Sequence, residues 1–209
     1  MSNSINLALI LSAAFVASAS PGPATLSIAE TSMRQGRKVG LALAAGITTG
    51  SLMWSVAASL GLGALMLANA WTFELIRYLG AGYLMFLAIK SARSALRPAA
   101  AAPADFTPAK SLTRAYLKGL ALHLTNPKAI LFFGSLYALG ISPATPLSGL
   151  ATVILAVGLQ SFVIFHGYAL LFSNARISRG YFRIRRWLEG AFALAFGAAS
   201  LKVLTARIQ

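Results

Sequence analysis

The 209-residue chain is 57% hydrophobic and only 11% charged, against about a quarter charged in soluble domains, so water is not its principal solvent. It holds no cysteine, which excludes disulfides and cysteine-based metal or redox sites. Its net charge of +14 argues little for nucleic acid, because the cations fall in the gaps between apolar runs instead of covering a surface.

The first span is expected over residues 5–33. Leu7 to Val16 followed by Ala17-Ser18-Ala19 looks like a signal peptide. No basic residue precedes the run, however, and its apolar character continues past Pro23 to Ala29, so it reads as a retained helix. Ser20-Pro21-Gly22-Pro23 interrupts it about midway. Proline has no amide hydrogen and clashes with the preceding turn, so one half-helix should end there and another begin, with Ser20 as a suitable N-cap. Glu30, in the second half, is a candidate gate, or it simply pairs with Arg34 at i+4.

The second span, 40–68, carries Gly46 and Gly50, a small-xxx-small face suited to close helix packing. The third, 72–92, is followed by a connector from Ser94 to Ser111 with Pro98, Pro103, Pro108 and an alanine run, which reads as a flexible linker. Trp71 and Trp187, with Tyr78, Tyr116 and Tyr181, sit near span ends and suit interfacial anchoring, whereas Trp54 lies too deep.

The fourth span, 113–138, is broken in its turn at Thr125-Asn126-Pro127-Lys128, with Thr125 or Asn126 as N-cap. Lys128 is the one cation deep in an apolar run. A lysine at the bilayer centre costs about 2.5–3.5 kcal/mol, so it should face protein or a wet cavity with a partner: it holds a substrate carboxylate, or it snorkels or pairs with a helix C-terminus. The uncharged stretch from Ala129 to Ala175 is too long for one helix; Gly140, Pro143 and Pro146 divide it and leave a fifth span at 147–173 and a sixth at 187–207. His123, one turn before Pro127, and His166 in the fifth span are candidates to carry a coupling proton, or are hydrogen-bonded packing residues.

Charge fixes the orientation. Arg34, Arg37 and Lys38 follow the first span; Lys90, Arg93, Arg97, Lys110, Arg114 and Lys118 flank the connector; Arg176, Arg179, Arg183, Arg185 and Arg186 follow the fifth. By the positive-inside rule these three loops are cytoplasmic and both termini lie outside. The expectation is therefore an all-α integral membrane protein, one domain over 1–209. Its six transmembrane helices form two inverted three-helix repeats, about 1–93 and about 112–209, joined by the cytoplasmic linker at about 94–111.

Helices one and four are broken by their proline motifs at corresponding positions of the two repeats. Helix one would run inward and helix four outward, so the positive ends of the new half-helices would converge near the midplane and form an anion site that fits a carboxylate. The bland alternative is that each proline only kinks its helix. The candidate substrate-binding residues are Ser20, Pro21, Gly22, Pro23 and Thr25 from the first break and Thr125, Asn126, Pro127 and Lys128 from the second. Glu30, His123 and His166 are the coupling or gating candidates, and no metal or cofactor site is expected.

Pro21-Gly22-Pro23, Gly36-Arg37-Lys38 with Gly40, Gly80-Ala81-Gly82-Tyr83-Leu84, and Asn126-Pro127-Lys128 before Phe132-Phe133 resemble, in order and spacing, the LysE/RhtB family of bacterial amino-acid exporters. The resemblance implies proton-driven efflux of amino acids or derivatives such as homoserine lactone through the bacterial inner membrane. Where the family pattern often has Asn after the second proline, this chain has Ala24 and then Thr25. A membrane-embedded enzyme would need several acids or histidines converging on a pocket, and only His123, Glu30 and His166 are candidates within spans, so no enzyme is expected. A passive pore, built by oligomerisation around an axis, stays open, as does a homo-oligomeric state.

Overall fold

The computed structural model describes residues 7–68, 70–96, 111–141 and 145–205, and the described residues are helical without any strand. Eight helices follow in order: α1 (Leu7–Ala19), α2 (Pro23–Gln35), α3 (Arg37–Ala68), α4 (Ala70–Leu96), α5 (Leu112–Leu124), α6 (Pro127–Gly140), α7 (Leu147–Phe172) and α8 (Ala175–Thr205). Most of the expected linker, Pro143 and both extreme termini lie outside the described residues.

Both breaks form where the prolines stand. Helices α1 and α2 have 13 residues each, about 20 Å apiece at 1.5 Å per residue and too short to cross a hydrocarbon core alone. They meet at a 48° bend and qualify as one broken span when taken together. Among the described residues, Arg37–Gly61 of α3 and Leu147–Phe172 of α7 are each long and apolar enough to cross a membrane. Helix α4, the α5–α6 pair and α8 occupy the other three expected positions, each with charged residues on it, among them Lys90, Lys118 and Glu189.

The cations expected in a loop after the fifth span are helical instead. Asn174 accepts from the amides of Arg176 and Ile177 through its side chain at 2.9 and 3.4 Å, so α8 starts immediately and its first turns carry the arginines.

The surface is inside out relative to a water-soluble bundle. Leu155, Leu159 and Leu194 are 69%, 66% and 78% exposed, whereas Ser51, Ser55, Ser161 and Ser200 are buried and bonded to one another or to facing groups. Ser51 meets Ser161 at 3.0 Å, Ser55 meets the Tyr137 hydroxyl, and Ser200 donates to the Ala81 carbonyl at 2.9 Å. Apolar side chains outside and satisfied hydroxyls inside are the arrangement that hydrocarbon solvent favours.

Small residues set the helix spacing. A Cβ on Gly46 would lie 2.0 Å from the Tyr116 carbonyl oxygen, and one on Gly119 would lie 2.2 Å from that of Leu43. Helices α3 and α5 thus cross with backbone nearly against backbone. Gly36 joins α2 to α3 as a single residue with φ 83°, a conformation glycine adopts without the steric cost of a Cβ. One turn later, a Cβ on Gly40 would strike the Ser32 hydroxyl at 2.1 Å. The Gly36-Arg37-Lys38 and Gly40 motif is accounted for by this tight joint.

Two apolar cores result. One gathers Ile10 and Ala14 of α1, Leu84 of α4, Phe133 and Tyr137 of α6, Val153 of α7 and Phe196 of α8. The other gathers Ile28 of α2, Leu43 and Ile47 of α3, Ala115 of α5 and Phe165 of α7. The half-helices therefore pair crosswise, α1 with α6 and α2 with α5, and the two breaks fall at the seam between the cores.

Candidate functional site

At that seam lies a narrow cleft of about 30 Å³, room for a water molecule or two, so a larger solute enters only when the seam opens. Ser20, Gly22 and Thr25 from the first break line it with Asn126 and Lys128 from the second, and His123 stands on the same wall. The two breaks abut directly, since a Cβ on Gly22 would sit 3.1 Å from Lys128 Nζ.

The end of α1 leaves carbonyls with no helical amide to receive, because Pro21 has none to give. Three of them find another donor. The Ser20 hydroxyl donates to the Ala17 carbonyl at 3.0 Å, the Tyr168 hydroxyl of α7 donates to Ala19 at 2.6 Å, and Lys128 Nζ donates to Ser20 O at 3.2 Å. The same ammonium also bonds the Ser20 hydroxyl and lies 5.6 Å from the Phe196 ring centroid. Lys128 is thus a buried cation on the negative end of the α1 dipole, which meets the requirement that a buried charge have a partner.

The two new helix starts differ. Asn126 is the N-cap of α6: its side-chain oxygen accepts from the Lys128 amide at 3.0 Å, and its carbonyl accepts from the Ala129 amide at 2.9 Å. With Pro127 contributing no donor, the first turn of α6 is satisfied internally. At α2 the N-cap is Gly22, not Ser20, and no side chain caps the start. Thr25 instead accepts from the Gly22 amide at 3.0 Å, and its hydroxyl lies 3.3 Å from both Ser20 O and Gly22 O. Thr25, standing near where Asn is usual in the resembled pattern, braces the break from within. The open positive helix end on the cleft belongs to α2.

Other candidates stand elsewhere. Thr125 is exposed and closes α5, donating to the Ala121 carbonyl at 2.9 Å. Glu30 is exposed and paired with Arg34 at 3.4 Å. His166 bonds Phe162 O through Nδ1 at 3.0 Å, its ring 4.1 Å from that of Phe162, away from the cleft. Pro21, Pro23 and Pro127 shape the helix ends.

Sequence reasoning missed Ser51 and Phe165, and it noted Phe132-Phe133 only as part of the resemblance, not as the aromatic wall they form with Phe165. It also missed Glu189 of α8, which is buried, accepts from the Ser94 hydroxyl at 2.9 Å and lies 3.7 Å from Arg185 Nε. Its position at the start of the sixth expected span was the available signal.

A family model described as LysE type translocator matches residues 15–207. The chain is 31% identical to the threonine efflux protein of Escherichia coli K12 over 193 residues, covering 92% of this chain and 94% of the relative. It is 33% identical to the leucine efflux protein of Enterobacter sp. strain 638 over 160 residues, covering 76% and 74%. It is 29% identical to the homoserine/homoserine lactone efflux protein of Salmonella typhimurium LT2 over 197 residues, covering 89% and 87%. No solved structure matches the chain.

Proposed function

The chain belongs to the LysE type translocator family, and from that premise we propose that it exports amino acids or their derivatives from the bacterial cytoplasm through the inner membrane, in exchange for protons. The observation that carries this reading is the cleft at the two helix breaks, where an uncapped helix start and a buried lysine meet. The α-carboxylate of a substrate is placed at the start of α2, with its amides and dipole. Lys128 turns from Ser20 O to the incoming carboxylate. Relatives named for efflux of threonine, leucine and homoserine support an amino-acid cargo.

In this reading the membrane domain has six spans in two inverted repeats: α1 with α2, then α3 and α4, followed by α5 with α6, then α7 and α8. The crosswise pairing of the half-helices and the packing of α4 on α8 support it. The cationic helix ends face the cytoplasm and both termini the outside. Of the three coupling candidates, His123 alone faces the cleft and is the one placed to exchange a proton.

Purified protein in proteoliposomes tests the reading. Labelled threonine, leucine or homoserine should accumulate by counterflow against the same unlabelled compound inside, and an imposed proton gradient should drive net uphill movement. Flux without trans-stimulation would mean a passive pore, and no flux of any of the three would overturn amino-acid export.

A further inference from the structure

A zwitterionic substrate brings an ammonium as well as a carboxylate, and the cleft has no carboxylate among its described lining residues to receive it. Most of its hydroxyl and amide acceptors are already engaged. Ser20 holds Lys128, Thr25 accepts from Gly22, Asn126 accepts from Lys128, and Ser51 is bonded to Ser161.

His123 is different. It is 5% exposed, lines the cleft, and neither Nδ1 nor Nε2 has a hydrogen-bond partner. Two unsatisfied nitrogens in a buried ring cost on the order of 1–3 kcal/mol each, so the ring requires a partner in the cleft, water or solute. The ring is also held in place. Phe165 packs edge-on at 5.8 Å between centroids, and His123 Cβ sits where Gly50 offers no side chain, 3.0 Å from a Cβ placed there.

We infer that His123 accepts the ammonium of the amino-acid substrate, so that the cleft reads both ends of a zwitterion: carboxylate at α2 and Lys128, ammonium at the imidazole. This rests on the export reading above. A neutral imidazole has one acceptor nitrogen and one donor, and an acceptor that takes a proton accepts no longer. Substrate ammonium and proton therefore exclude each other at His123, which gives an exporter a physical basis for exchanging one for the other. Lys128 is the one charged side chain on the described cleft wall beside it; the groups facing the ring from α3 and α7, Gly50 and Phe165, are uncharged.

The test is inhibition of labelled-threonine counterflow in proteoliposomes by unlabelled threonine and by 3-hydroxybutyrate, which is threonine without its ammonium. A hydrogen bond to a charged group corresponds to about 10- to 150-fold in affinity. Wild type should therefore favour threonine over 3-hydroxybutyrate by about that factor. His123→Leu should raise KM for threonine by a similar factor and erase the preference. His123→Asn, which keeps an acceptor, should restore most of it. Equal inhibition by the two compounds in wild type overturns the inference whether or not the variants fold. So does an unmoved KM in His123→Leu, or the whole loss appearing in Ser18→Ala, the remaining hydroxyl on the wall. Wild type that transports no amino acid defeats the export reading and this inference with it; intact transport without discrimination defeats this inference alone.

Discussion

Replacing Lys128 with methionine separates the roles of its ammonium in folding and in transport. In the fold, the substitution removes two bonds to Ser20, about 1.5–3 kcal/mol each for a charged donor. In the six-span arrangement proposed above it also removes the cost of a lysine at the bilayer centre, about 2.5–3.5 kcal/mol. The Thr25 hydroxyl, 3.3 Å from the Ser20 carbonyl, stays as a substitute donor. The net loss is therefore about 1 kcal/mol, a fall in melting temperature of about 2–4 °C for a chain of this size. Transport has no such offset, because a substrate carboxylate loses a charged partner and KM should rise about 10- to 150-fold. Tryptophan-fluorescence melting in detergent and counterflow in proteoliposomes measure the two effects on one preparation. A Lys128→Met protein with a near-native melting temperature and unchanged KM would show that the ammonium only closes α1.

Gly46→Ala should abolish or severely destabilise the folded protein, because its methyl would lie 2.0 Å from the Tyr116 carbonyl. Gly61→Ala in the same helix, with nothing within 4 Å, should melt at or slightly above the wild-type temperature. Tyr168→Phe strips the Ala19 carbonyl of its 2.6 Å donor and should cost about 1–3 kcal/mol, read as a lowered melting temperature with weaker substrate binding at the neighbouring break. The chain has no cysteine of its own, so a single cysteine at residue 100 reports topology cleanly. It should resist impermeant maleimide in intact cells and label after permeabilisation, and labelling in intact cells would reverse the orientation.

The two helix breaks were legible because proline acts locally: its missing amide ends a helix whatever surrounds it. The close approach at Gly46 and Gly50 was legible for a similar reason, since absence of a side chain is itself the signal. Direction around the helix axis was not. In helices apolar on most sides, hydropathy gives depth but no facing direction. The sequence could therefore not tell that His123 turns into the cleft while His166 turns away, or that Thr125 closes one helix while Asn126 opens the next. The partner of Lys128 is 108 residues away in sequence, and a burial like that of Glu189 depends on α4 and α8 lying side by side.

The single-residue joint at Gly36 divides mobility unevenly between the two sides of the first break. Helix α2 is coupled to α3 through that joint and through the Gly40–Ser32 contact one turn later, so it can shift only if the longest helix shifts with it. Helix α1 has no single-residue joint at its inner end: its tip is held by side-chain bonds from Tyr168, Lys128 and Thr25. A cycle that opens the seam to alternate faces of the bilayer would therefore be expected to swing α1 as the door, with α2 and α3 as the frame.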